Sequence, residues 1–158
     1  MYLQSLDGPG NTGSGWVVQT KWASKRDAQS FTPSSPPAFT AIVGLTIDIT
    51  PTNSSHKFLL NCDVTLGGTQ NYEGWIRFYE GTSHIGNASS SGDGSRTPVL
   101  SVAGYDEPDN EANHIGGSYL TAAAGNTTER TYNVYYGGWN SVANRVNRPN
   151  GVNSQEGW

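Results

Sequence analysis

Apolar and polar residues alternate along much of this chain. The clearest stretch runs from Leu45 to Leu66 (LTIDITPTNSSHKFLLNCDVTL). Leu45, Ile47 and Ile49 fall on one side of its first arm, with Thr46, Asp48 and Thr50 on the other. On the second arm Phe58, Leu60, Cys62 and Val64 share a side opposite Asn61, Asp63 and Thr65. A period of two marks a strand with one wet face. Pro51 has no amide to give to a ladder, and Asn53, Ser54 and Ser55 favour a turn. The stretch reads as a hairpin-like unit with one continuous apolar face.

The same period predicts further strands on both sides. Trp16 to Ser24 is the first, with Trp16, Val18, Thr20 and Trp22 alternating with Val17, Gln19, Lys21 and Ala23. Pro33, Pro36 and Pro37 then mark an irregular connection. Strands follow over 41–50, 56–66 and 72–80, the last with Ile76 and Phe78 inward and Trp75, Arg77 and Tyr79 outward. Glu80-Gly81-Thr82-Ser83 is a tight hairpin signal before a short strand over 84–88. Further strands are expected at 97–103, 114–120 and 129–136, with Tyr132, Val134 and Tyr136 on one face, and a last one within 139–146. Seven to nine short strands, with turn signals roughly every 8 to 12 residues, fit an all-β fold. The architecture predicted is an antiparallel β-sandwich, jelly-roll-like, spanning 16–158. Residues 1–15 (MYLQSLDGPGNTGSG) read as an extended N-terminal arm or linker, in which Tyr2, Leu3 and Leu6 could dock on a neighbouring chain. They have neither the basic start nor the apolar stretch of a signal peptide.

Composition agrees with many strands and turns. Of 158 residues, 20 are Gly and only 34% are hydrophobic, a mix that disfavours helices. The formal net charge is −4 and no basic face is evident, so nucleic acid is not an expected partner. Lys21, Lys25 and Arg26 form the one cationic knot, best read as a solvated strand end. No apolar run approaches the roughly 18 residues of a membrane span. The single cysteine, Cys62, excludes an internal disulfide and sits on an apolar face.

Candidate chemistry is sparse. Asp106, Glu107, Asp109, Asn110 and Glu111 form an acidic loop of hard oxygen ligands that could hold Ca²⁺. The spacing is not that of an EF-hand, Pro108 interrupts it, and a solvated loop is the plainer reading. A glycosidase acid–base pair faces across a groove from separate elements, whereas these carboxylates are neighbours. His56, His84 and His114 show no metal-ligand spacing. No nucleophile elbow, P-loop or dinucleotide fingerprint occurs. Neither a catalytic residue nor a cofactor is expected. Three N-x-S/T sequons, at Asn53, Asn87 and Asn126, support glycosylation only weakly in so Asn- and Ser-rich a chain. The better hint is a set of aromatics aimed off the core face: Trp75, Tyr79, Tyr135 and Trp139. Such rings stack on sugars or anchor protein interfaces. Packing within the protein or between subunits is the favoured account of them.

Several segments together carry a resemblance. They are Val17-Val18-Gln19-Thr20, then GLTIDITPTNSSHKFLL from Gly44 to Leu60, then Arg77-Phe78-Tyr79-Glu80-Gly81-Thr82, and late in the chain TTERTYNVY from Thr127 to Tyr135. Their order resembles a domain frequent in structural proteins of tailed phages, especially cyanophages, over roughly 16–136. The resemblance implies a virion location and a tail-fibre or similar appendage domain without enzymatic activity. It implies a homotrimer in contact with other virion proteins and with a host-surface glycan, and no membrane insertion. A capsid decoration protein and a carbohydrate-binding module are the alternatives. Members of that group close with a Ser/Thr-rich strand that has no counterpart before Trp158. Such a strand is therefore expected to be cut from this chain, dispensed with, or supplied by another chain.

Overall fold

The computed structural model describes residues 2–7, 16–32, 38–68, 73–86, 99–104, 112–138 and 143–147, with the backbone alone for 2–7 and 16. They form an all-β sandwich of two antiparallel sheets. The strands are β1 (Tyr2–Asp7), β2 (Trp16–Trp22), β3 (Gln29–Phe31), β4 (Ala38–Ile49), β5 (Lys57–Gly67) and β6 (Glu73–Glu80). They continue as β7 (Ser83–Ile85), β8 (Ser101–Gly104), β9 (Ala112–Leu120), β10 (Arg130–Gly138) and β11 (Asn144–Val146). The first sheet joins β2, β1, β5, β11 and β3, with β9 on the other side of β5. The second runs β4-β10-β6-β7, with β8 sharing the outer edge of β6.

The pairings nest. β3 pairs β11, β4 pairs β10, β5 pairs β9 and β6 pairs β8, all antiparallel. Each of these pairings lies inside the previous one along the chain. Successive partners alternate between the two sheets.

Alternation builds the core. Leu45, Ile47 and Ile49 from β4 and Phe58, Leu60, Cys62, Val64 and Leu66 from β5 are all buried in it. So are Ile76 and Phe78 from β6 and Tyr132, Val134 and Tyr136 from β10. Two ring pairs cross between the sheets, Phe58 on Tyr132 at 5.7 Å between centroids and Phe31 edge-on to Tyr136 at 5.1 Å. Fully burying one such side chain contributes about 1.5–3 kcal/mol. Burial pushes the Cys62 thiol up to about 12, so it is a core residue and not a nucleophile.

The Leu45–Leu66 unit is not a hairpin. Its arms lie in different sheets, β4 against β10 and β5 against β1, β9 and β11. The apolar faces meet across the core instead of lying side by side. The connection is a corner clamped by 121–125. The amides of Gly125 and Ala124 donate to the carbonyls of Ser54 (2.7 Å) and His56 (2.8 Å). The Phe58 amide donates to Thr121 Oγ1 at 2.9 Å. Arg130 joins this corner to β6 by donating to the Glu80 carboxylate and to the Ala124 carbonyl.

The N-terminus also differs from expectation. Tyr2, Leu3 and Leu6 lie in β1, laddered to β2 on one side and to Lys57–Asn61 of β5 on the other. The arm is thus a strand of its own sandwich. The reason is the short β11, which covers β5 only at Leu66 and Gly67. That leaves the Lys57–Asn61 part of the edge with amides and carbonyls to satisfy, and β1 ladders to it.

β4 bulges widely. Asn133 faces Thr46 while Tyr135 faces Ala41, so Ile42 to Leu45 stand opposite Val134 alone. Gly44 makes this possible with φ +88°, a conformation other residues rarely adopt. Gln29 of β3 satisfies the looped-out backbone, donating to the Ala41 carbonyl (2.9 Å) and accepting from the Val43 amide (2.8 Å). One side chain so ties the two sheets along this edge.

Candidate functional site

The outward face of the second sheet carries the densest cluster of unusual side chains. Register sets it out in rows. Phe39, Gly137, Trp75 and Val102 form one row, Ala41, Tyr135 and Arg77 the next, and Thr46, Asn133, Tyr79 and His84 the third. Trp75, Tyr79 and Tyr135, expected to point away from the core, do so, and they fall within one continuous surface.

Trp75 is nevertheless only 6% exposed, so it is corrected from a ligand contact to a packed residue. Phe39 stacks on it at 6.0 Å and 27° between planes, and Trp75 Nε1 donates to Glu73 at 3.0 Å. Gly137 lies between them in the row and a Cβ there would meet the Ala38 carbonyl at 2.4 Å, which keeps this packing tight. Tyr79 and Tyr135 stack at 3.9 Å and 25°, and His84 leans on Tyr79 at 5.9 Å. The Arg77 guanidinium lies over the Phe39 ring, 3.9 Å from its centroid.

This geometry limits what the rings can do. Sugar stacking needs an open ring face. Tyr79 and Tyr135 give one face each to the other, and His84 leans on Tyr79. The cluster thus has one face of each tyrosine closed by the other, with the Arg77 guanidinium over Phe39 beside it. Burial first and the Arg77 charge second hold the His84 imidazole below its ordinary value.

Sequence reasoning did not single out Arg77, Phe39 or His84 as functional. Arg77 had a signal: it lies between Trp75 and Tyr79 on the wet face of a strand. Phe39 had none, because its proximity depends on the β4–β10 register. Trp139 and the Ca²⁺ candidates Asp106, Glu107, Asp109 and Glu111 lie outside the described residues. Among the described residues no group of three His, Cys, Asp or Glu side chains could hold a metal ion.

The opposite outward face, on the first sheet, brings Thr65, His114 and Asp63 together. Thr65 Oγ1 lies 3.3 Å from His114 Nδ1, and His114 Nε2 lies 3.6 Å from Asp63 Oδ1. The order copies a hydroxyl–imidazole–carboxylate relay. The side chains of His114 and Asp63 are 66% and 77% exposed, however, so water competes for every contact. A triad carboxylate is buried so that it can orient its imidazole. These residues form a solvated cross-strand ladder together with Asn61 and Ser118.

No family model matches the chain, and no curated protein matches it significantly.

Proposed function

We propose that this chain is a structural domain of a tailed-phage particle, a tail-fibre or related appendage domain whose work is assembly and attachment without catalysis. The observation that carries the reading is the nested pairing of β3 with β11, β4 with β10, β5 with β9 and β6 with β8. We read this nesting as jelly-roll winding, an architecture shared by viral capsid and lectin domains. Fold alone does not carry function. The ordered motifs from Val17 to Tyr135 supply the second support, and the Gly44–Leu60 motif sits in the scaffold rather than at a site.

The placement of β1 narrows the choice between fibre and decoration protein. A free arm suited a capsid decoration protein, and in this chain that segment is a strand of the sandwich. The fibre reading is therefore kept. It assigns subunit contact to the outward side of the first sheet, where register places Val17, Trp22 and Leu120 on the same side, spread over β2 and β9. Trp22 is 73% exposed there.

Imaging of labelled particles is the test. Antibody against the chain should decorate the tail, and the purified chain should sediment as a trimer that Trp22→Ser weakens. Label on the capsid alone would replace the fibre by a decoration protein, and its absence from particles would end the virion reading.

A further inference from the structure

We propose that Arg77 is a receptor for the carboxylate of an acidic sugar on the host surface. The inference deepens the attachment reading and rests on it. Three features of the guanidinium lead there. Its charge has no carboxylate partner among the described residues, and its Nε is buried without a hydrogen-bond partner. Its one described contact is the Phe39 ring, which supports a cation without accepting a hydrogen bond in its plane. It also stands between two pairings. On that side of β6, β8 pairs Glu73–Ile76 and β7 pairs Phe78–Glu80, so neither strand pairs Arg77, and the nearest described backbone bond there is the Leu100 amide donating to the Ile76 carbonyl at 2.8 Å.

The surroundings select the ligand. A planar fork of five donors matches a carboxylate bidentately, and the aromatic neighbours raise the strength of that pair above its value in water. A phosphate dianion calls for a second fixed cation, and His84 is held toward its neutral form. The net charge of −4 opposes a densely charged polyanion. What fits is one carboxylate on an otherwise neutral saccharide. Tyr135 pairs with Arg77 across the β6–β10 ladder and stacks on Tyr79, which puts two phenols of a kind suited to sugar hydroxyls on the same face.

The test titrates the full chain with an oligosaccharide ending in glucuronic acid, its neutral glucose counterpart and its 6-phosphate counterpart, by calorimetry at low salt and at about 0.15 M salt. The glucuronic form should bind best, and Arg77→Gln should weaken it about tenfold or more. Arg77→Lys keeps the charge and the ring contact but loses the fork, and should fall between the two. A melting curve for each variant separates lost binding from lost folding, and comparison of the three sugars on the unmodified chain does not depend on any variant. Equal binding of the glucose form, preference for the phosphate, or indifference to Arg77→Gln in a folded protein would overturn the proposal. A change of sedimentation with Arg77→Gln would also overturn it, by making Arg77 a subunit contact. Particle labelling stays independent, so a chain that is on the particle yet ignores glucuronate ends this proposal alone.

Discussion

The two outward faces of this sandwich are built from the same alternation and have opposite characters. On the second sheet, Trp75, Phe39, Arg77, Tyr135 and Tyr79 cover one another and are mostly withdrawn from water. On the first sheet, Asn61, Asp63 and Thr65 meet Ser118, Gly116 and His114 in a ladder open to solvent. Gly116 matters to that ladder, because a Cβ there would lie 2.3 Å from Asp63 Oδ1. A wet strand face is thus not one kind of surface. Where large rings fall on neighbouring strands they make a second, shallow packing layer. Where short polar residues do, they stay exchangeable with water.

Substitutions should rank the layers. The largest effect belongs to the core that both faces share. Leu60→Asp buries a charge at a fully buried position and should abolish folding, seen as loss of the far-UV sheet signal. A folded Leu60→Asp protein would mean the inward assignment of β5 is wrong. Next comes the aromatic layer. Trp75→Ala removes a buried ring and should cost about 3 kcal/mol in urea unfolding. A cost below about 0.5 kcal/mol, the ordinary surface value, would make the two outward faces equivalent. Tyr79→Ala should cost less, about 1 kcal/mol, from a half-buried ring that loses its Tyr135 stack.

A smaller effect separates the faces by pH. The folded value of His84 lies below its ordinary 6.5, so the unfolded chain takes up the proton more readily. Its contribution to stability is full above that value and is lost as pH falls through it toward the lower folded value. Melting temperatures at about pH 7.5 and about pH 5.5 should therefore differ less in His84→Gln than in the parent. A larger difference in the variant would reverse the assigned sign. The smallest effect is on the solvated ladder. Asp63→Asn should change stability by no more than about 0.5 kcal/mol, as exposed pairs do. A loss above about 2 kcal/mol would show that the Thr65–His114–Asp63 set is structural after all.

Much of the scaffold was legible because strand period is a local property. The inward sets of β4, β5, β6 and β10 follow from alternation alone, as do the outward positions of Trp75, Arg77 and Tyr79. The short β3 was not legible, because three residues carry no period. β1 was missed because its Gly-rich flank read as an arm, and its place depends on an edge of β5 left open by β11. In β2 the bulge inserts Val18 between the Ser5–Gln19 and Leu6–Val17 pairs. It moves Val17 to the side of Thr20 and Trp22, against the simple alternation. Of the site, the outward rings could be named but not their exposure. Trp75 is closed off by Phe39, which is 36 residues away in sequence and arrives through the β4–β10 register.

By itself, then, the sequence determined that the protein is β, which side chains of β4, β5, β6 and β10 enter most of the core, and where several turns fall. Those facts depend on neighbours two residues apart and on turn chemistry. Tertiary structure alone decided that Leu45–Leu66 is a corner between sheets and that the N-terminal residues complete one of them. It also decided that Arg77 lies between the β8 and β7 pairings of β6, with an aromatic ring as its described support. These depend on which distant strands pair and in what register. Pairing follows from satisfying every buried edge at once, and that condition has no local signature.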